Sequence, residues 1–400
     1  MTTANDTDVY YDPYDLAIAA NPWPTYARLR DEAPIYYNER YDFWALSRYE
    51  DVEAALSNWE TFSNSRSDIL ELVKSDFDMP SGVMMFEDPP MHTMLRGLMA
   101  RVFTPRRMAA IEDQIRDFCV GCLEPHVGSA GFDIVAELAA MMPMRVIGML
   151  LGIPESDQIG YRDKQDANLR TKPGVPMKVS NADAIADGRM FADYVEWRAK
   201  NPSDDLMTAL LNVEFEDEHG VTRKLTRKEL LHYTQVVAGA GNETTGRLIG
   251  WLAKVLAEHP LQRRQVVEDR TLLSRVVDET LRFEPTGPHV ARYIVRDFDA
   301  YGTTVPAGSA MLLLFGAANR DPARYENPDA FDIHRDNKAH LTFGKGLHYC
   351  LGANLARLEG RVALDELLNR FPEWDIDYDS MEPAPTSTVR GWERLRIVLP

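Results

Sequence analysis

From about residue 88 to residue 285 the apolar positions of this 400-residue chain recur at steps of three and four, the spacing of one helix face. On either side the spacing changes. "APIYYNERYDFWALSRY", from Ala33, holds two short aromatic and β-branched runs around a polar turn. "VARYIVRDFDAYGTTVPAGSAMLLLF", Val290 to Phe315, is β-like and punctuated by glycine and proline. "NPDAFDIHRDNKAH" reads as an irregular connector, and Leu351, Leu355, Leu358 and Val362 then predict another helix. From Trp374 onward the pattern suggests strands and turns. The expected fold class is mainly α with a minor β region. Its β-rich parts lie at about 30–50 and 290–316, its helix-rich parts at about 88–285 and 351–371. No linker-like stretch separates them, so residues 1–400 are expected to form one domain.

One helix stands apart. Thr226 and Glu229 form a T-x-x-E capping box, and no proline follows until Pro260. That run of about 34 residues would extend roughly 50 Å at 1.5 Å per residue. Val237, Ala240, Gly241, Thr244 and Leu248 fall on one stripe, and Gly239, Gly246 and Gly250 lie close by. Interior glycines each cost roughly 1 kcal/mol relative to alanine. A face of such small residues suits either close helix packing or a large flat body lying against it.

Composition narrows the setting. The net charge of −18, with no long basic run, argues against wholesale nucleic-acid binding. Three cysteines are too few, and odd in number, for a disulfide scaffold, which favours a reducing compartment. The N-terminus lacks the basic and apolar regions of a secretory signal. The most apolar stretch, "VAELAAMMPMRVIGMLLGI", is broken by Glu137, Pro143 and Arg145; it reads as core helix, break and second helix rather than a membrane anchor. A soluble, cytoplasmic protein is expected.

Three clusters carry candidate chemistry. In "TFGKGLHYCLG", Thr342 to Gly352, Cys350 follows two glycines and precedes a predicted helix. A lone cysteine is most often a small core hydrophobe. Here Gly344 and Gly346 permit unusual backbone angles, and the coming helix N-terminus favours a thiolate. Such a thiolate could be a nucleophile or a metal ligand. No neighbouring cysteine–histidine cluster supports a four-ligand zinc site, and a single axial ligand to haem iron fits best. In "DETLRFEP", Glu279 and Arg282 share a helix face among leucines and valines that would bury them, with Arg335 a plausible third member. In "EDPPMHTMLRGLMARVFTPRR", His92 and Arg96 face the same way. A solvated helix face explains that pair as well as carboxylate binding does.

Taken together, these motifs resemble the cytochrome P450 family. The loop matches F-G-x-G-x-H-x-C-x-G at Phe343, Gly344, Gly346, His348, Cys350 and Gly352, and Leu355, Ala356 and Arg357 continue the match. "AGNETT", Ala240 to Thr245, resembles the oxygen-activation segment, E-x-x-R is present, and "DPPMHTMLR" resembles the haem-clasping helix. The likeness runs from "NPWPTYARLRDEAPI", at Asn21, to "VRGW", ending at Trp392. It implies the P450 fold with its long central helix over haem b. It also implies oxidation of a hydrophobic small molecule by O2, with electrons from a ferredoxin and its reductase.

Residue by residue, the resemblance implies that Cys350 is the thiolate ligand, a donor that favours O–O cleavage in this family. Phe343 would pack beside the sulfur, and Gly344 and Gly352 would let backbone N–H groups tune it. His92, Arg96, Arg292 and His348 would hold the haem propionates. Glu243 and Thr244 would be an acid–alcohol pair delivering protons. Ala240 and Gly241 would leave room for oxygen by loosening the helix locally. Glu279, Arg282 and Arg335 would lock the fold behind the loop. Expected pocket residues are Val83, Met84, Met85, Phe86, Val236, Val237, Ala240, Val290, Ala291 and Val389, suggesting a terpenoid, steroid or branched lipid; His289 could be a polar anchor there, but a surface position is the preferred reading. Arg101, Arg106, Arg107, Lys338, Lys345 and Arg361 would form a basic patch for the electron donor. Cys119 and Cys122, a C-x-x-C within helical sequence, are expected to be two half-buried helix thiols. A peroxide-using relative and a non-catalytic haem sensor are the alternatives; the acid–alcohol pair argues against both.

Overall fold

The computed structural model describes residues 8–77, 79–100, 103–172, 174–178, 188–217, 219–336, 339–386 and 388–400. The helices that build the site are α1 (Met91–Ala100), α2 (Glu112–Leu123), α3 (Met142–Leu151), α4 (Glu155–Leu169), α5 (Arg227–Glu258), α6 (Leu273–Phe283) and α7 (Ala353–Arg370). Helix α5 runs 32 residues and is the axis of the main core, packing on α3, α6 and α7. Its start is the capping box expected from the sequence: Thr226 Oγ1 accepts from the Glu229 N–H at 3.2 Å, and Glu229 Oε2 accepts from the Thr226 N–H at 2.7 Å. It stops at the residue before His259, and Pro260 opens the next helix.

The glycines of α5 serve both uses left open above. A Cβ at Gly246 would lie 2.7 Å from the Ala139 carbonyl oxygen, so this position brings backbone against backbone. Gly239, Ala240, Gly241 and Thr244 instead line a cavity. The expected loosening at Ala240 and Gly241 is not present. Helix α5 is continuous there, and Thr244 Oγ1 donates to the Ala240 carbonyl at 2.7 Å, one turn back.

The apolar stretch before α3 breaks as expected. Val135–Ala139 forms a wide turn, with the Ala140 N–H bonded to the Val135 carbonyl at 2.8 Å, and α3 follows from Met142. Among the described residues no single helix is long and apolar enough to cross a membrane; Val135–Leu151 and Glu155–Lys164 reach that length only as a pair bent by 114°.

The β region combines both ends of the chain. Strands β1 (Ile35–Asn38), β2 (Phe43–Leu46), β3 (Phe62–Ser63), β5 (Val290–Ile294) and β6 (Ala310–Leu313) form a sheet ordered β1-β2-β6-β5-β3. β1 pairs antiparallel with β2 (Ile35 opposite Leu46), and β6 runs parallel to β2 (Met311 opposite Trp44). β5 is antiparallel to β6, with Leu313 opposite Val290. A second sheet joins β4 (Gly131–Asp133), β7 (Asp375–Ile376) and β10 (Arg396–Val398), while β8 (Glu382–Pro383) pairs with β9 (Trp392–Arg394). The predominantly helical stretch 88–285 thus also contains β4 and the hairpin Glu214–Glu216/Thr222–Lys224, segments too short for their alternation to show in the sequence.

Candidate active site

A cavity of about 430 Å³ opens where α5 meets the Cys350 loop. The loop is shaped by its own backbone. Gly344 and Gly346 sit at φ +69° and +70°, the left-handed region that glycine enters without penalty. At Gly346 a Cβ would also lie 2.9 Å from the Leu56 carbonyl oxygen. The Gly344 N–H donates to the Leu341 carbonyl at 2.7 Å and the Cys350 N–H to the Phe343 carbonyl at 2.8 Å, which closes the loop before α7 begins. Cys350 has exposed surface, yet its thiol lies deep in the protein, because that surface faces the cavity. Burial pushes the thiol's pKa up, against the pull of the Gly352 N–H and the charges of Arg96 and Arg357. Arg357 is held by Asp278 at 2.7 Å and lies 4.5 Å over the Phe343 ring.

His92 on α1 and His348 in the loop bring their rings within 4.2 Å, inclined by 44°. Burial pushes the pKa of His92 down to about 4 and that of His348 down to about 2, so both are neutral. The Asn64 amide nitrogen lies 3.4 Å from His348 Nδ1. His348 Nε2 and His92 Nδ1 are buried with no hydrogen-bond partner. Arg96 Nη2 donates to the Tyr349 carbonyl at 2.6 Å. Arg292 is buried, its pKa lowered by burial to about 10, and its Nη1 donates to the Ala291 carbonyl at 2.8 Å.

From α5, Val236, Val237, Ala240, Gly241, Glu243 and Thr244 enter the same lining, joined by Met84, Met85, Phe86, Val290 and Val389. Glu243 Oε1 accepts from Arg247 Nη2 at 3.0 Å. Val83, expected in the pocket, is a correction: it is buried in the protein and does not line the cavity, and Ala291 is likewise turned into the core. Val83 is extended and lies just before the one-turn helix Met84–Phe86, whose three residues all line the cavity. His289 is a second correction. It lines the cavity rather than the surface, with Nδ1 3.5 Å from the Tyr11 hydroxyl.

Glu279, Arg282 and Arg335 lie outside the cavity, behind the loop. Arg282 grips Glu279 with two bonds of 2.7 Å and reaches the carbonyls of Asn319, Pro328 and Ala330 at 2.8–3.0 Å. Arg335 Nε and the Asp332 N–H also donate to Glu279 Oε1, at 3.1 and 3.0 Å. Such a buried pair is tolerable only when its polar atoms are satisfied, and here the contacts do so. Asn319 Nδ2 in turn donates to Thr342 Oγ1 at 2.8 Å, linking the cluster to the cysteine loop.

The cytochrome P450 family model matches residues 182–392. Cytochrome P450 123 of Mycobacterium tuberculosis is 36% identical over 396 residues, covering 98% of this chain and 97% of that protein. The chain belongs to the cytochrome P450 family. The vitamin D(3) 25-hydroxylase of Pseudonocardia autotrophica is 34% identical over 95% of this P450 and 94% of its own length. The crystal structure of CYP109E1 from Bacillus megaterium in complex with testosterone superposes with TM-score 0.86 at 28% identity, covering 96% of this chain and 99% of that one.

The protein is therefore a haem b monooxygenase, an oxidoreductase of the P450 fold. The residues present fit that cofactor. One cavity offers a thiol, two buried imidazole nitrogens lacking partners, and two arginines, a donor set suited to iron and to carboxylates. Of the expected basic patch, Arg106 and Arg107 are exposed, but Lys345 pairs with Glu53 at 2.6 Å and Arg361 with Glu112 at 2.5 Å; Arg101 and Lys338 lie outside the described residues. Cys119 is fully buried and Cys122 partly so. The sequence reading missed Asn64, Ile147, Asp68 and Thr286 in the lining. Asn64 and Asp68 share one loop, while Ile147 and Thr286 come from distant segments, and no motif in the sequence marks any of them. His289 had a signal, a polar residue between two named pocket segments.

Proposed function

We propose that this P450 uses O2 and two electrons to hydroxylate a hydrophobic small molecule of the terpenoid, steroid or branched-lipid class, with Cys350 as the axial thiolate. The observation that carries this reading is that one cavity is lined by Cys350 and also by Thr244 and Glu243. Haem, when bound, supplies the iron at which dioxygen is reduced. In this reading Arg96, Arg292, His92 and His348 hold the propionates, and the buried His348 Nε2 and His92 Nδ1 are left for that contact. The Thr244 hydroxyl, now bonded to Ala240, needs only a side-chain rotation to present itself to the cavity. Glu243 Oε2 has no partner and can carry a proton toward that hydroxyl. A peroxide-driven enzyme or a haem sensor would have no use for this acid and alcohol together.

The lining contributed by Met84, Met85, Phe86, Val236, Val237, Val290 and Val389 supports an apolar substrate. A relative named for vitamin D(3) hydroxylation and a structural neighbour crystallised with testosterone favour the steroid end of the range. We read residues 1–400 as one cytoplasmic domain that receives electrons from a ferredoxin and its reductase, with Arg106 and Arg107 as part of the docking surface. A spectral titration of the ferric protein with steroids, terpenoids and branched fatty acids tests the substrate class. Displacement of an iron-bound water should appear as a spin-state shift, followed by hydroxylated product in the presence of NADPH, ferredoxin and reductase. A shift given only by polar ligands would overturn the assignment.

A further inference from the structure

Glu243 is held from one side. Arg247, one turn further along α5, donates from Nη2 to Glu243 Oε1 at 3.0 Å, while Glu243 Oε2 is buried without a partner. The two side chains are only 12% and 10% exposed, so the pair is largely shielded from water. The proton chemistry above makes no use of this arginine, and its remaining contacts lead away from the cavity. Nη1 donates to the Trp392 carbonyl, and Nη2 lies 3.8 Å from Glu393 Oε2. Glu393 pairs in turn with Arg170, the residue that follows α4. Beside it, the Thr171 N–H donates to the Pro385 carbonyl at 2.7 Å, joining the end of α4 to the C-terminal segment a second time. The stem of Arg247 presses on Gly391, where a Cβ would lie 2.7 Å from Arg247 Cδ. Three and two residues before that glycine, Thr388 and Val389 line the cavity.

We propose that Arg247 is a positioning residue that couples the orientation of Glu243 to the C-terminal turn and the end of α4. The proposal rests on the reading of Glu243 as proton carrier. One guanidinium nitrogen stands between two carboxylates, at 3.0 Å from Glu243 and 3.8 Å from Glu393. Attraction in a shielded site changes steeply over such distances. A ligand that pushes on Val389, or a shift at Arg170, moves Trp392 and Glu393 and so draws Arg247 one way or the other. When Arg247 follows Glu393, the Glu243 carboxylate is released to swing toward the Thr244 hydroxyl. When it stays with Glu243, the carboxylate is detained. Proton supply would thus answer to occupancy of the pocket.

The test compares Arg247→Gln, Arg247→Lys, Glu393→Gln and Glu243→Gln. In the haem-free protein, Arg247→Gln should speed amide hydrogen exchange at Thr171 and across 384–393, and Arg247→Lys should restore slow exchange. In the haem-loaded protein with NADPH, ferredoxin and reductase, and no added substrate, Arg247→Gln should alter the peroxide released per NADPH and its solvent isotope effect by roughly two- to tenfold. Haem content should stay unchanged. Glu393→Gln should shift the same two quantities by less. If Arg247→Gln matches the wild type while Glu243→Gln changes the peroxide yield, the coupling is refuted and the proton role of Glu243 survives. If Glu243→Gln also changes nothing, both fall. Should Arg247→Gln fail to hold haem, Glu393→Gln decides: an unchanged isotope effect in that variant overturns the coupling.

Discussion

Cys350 and Val389 line the same cavity but are held in different ways. Cys350 is fixed within its own loop, by backbone hydrogen bonds spanning Leu341 to Cys350 and by two glycines in left-handed conformations. Val389 sits on a turn fastened by side chains from elsewhere: Trp251 Nε1 donates to the Arg390 carbonyl at 3.0 Å, Arg247 to that of Trp392, and Arg390 pairs with Glu284. The first region cannot vary without losing its geometry. The second can change its lining residues while its fastenings remain. The shape of the thiol loop is therefore written mostly in one short segment, whereas the residues that shape the rest of the cavity are dispersed.

The strongest way to break the first region is Cys350→Ala. The reduced carbonyl complex should lose its thiolate signature completely, as read in the difference spectrum; a retained signature would remove Cys350 as the ligand. Next comes Arg282→Ala, which leaves Glu279 buried without its main partner. Breaking such a pair costs about 3–5 kcal/mol, and urea denaturation together with haem titration should show reduced stability and poor cofactor retention. The second region should behave otherwise. Val389→Phe should shift the affinity for a bound steroid by roughly tenfold, an effect of the size of a small change in apolar pocket volume, with the thiolate spectrum intact. Spin-state titration beside the carbonyl spectrum separates the two outcomes.

A further effect concerns pH. His92 ionises in the folded haem-free protein at about 4, well below its ordinary value near 6.5. Above pH 6.5 the folded and unfolded states are both neutral at this residue. As pH falls from 6.5 toward 4 the unfolded chain takes up the proton first, and folding stability declines. Urea midpoints of the haem-free protein should drop across that window, and His92→Asn should flatten the drop.

The same division decides what could be read in the sequence. The loop from Phe343 to Gly352, the cap at Thr226 and the pair Glu279–Arg282 depend on residues within a few positions of each other, and all three were legible. Val83 was misread because it is extended just ahead of the one-turn helix Met84–Phe86, and its side chain is buried in the core instead of lining the cavity. His289 was misread because it is enclosed by residues distant in sequence, among them Tyr11, 278 residues away. The double use of the α5 glycines was left open because the partner at Gly246 is a carbonyl of Ala139, which no local pattern reveals. No motif marks Arg247 in the sequence, and its contacts with Trp392 and Glu393 join residues about 145 positions apart.

The parallel pairing of β2 with β6 sets an order of events in the cell. Trp44 and its partner Met311 are 267 residues apart. At a synthesis rate of roughly 5–20 residues per second, the β1–β2 hairpin would wait about 13 to 53 s for the strand that covers its edge. The cysteine loop is made later still. Until then the nascent hairpin presents an open strand edge with no internal partner, a state prone to pairing with other chains. Slow ribosomal transit through the central helix would lengthen that vulnerable interval, so the yield of correctly assembled protein should respond to translation speed and chaperone supply.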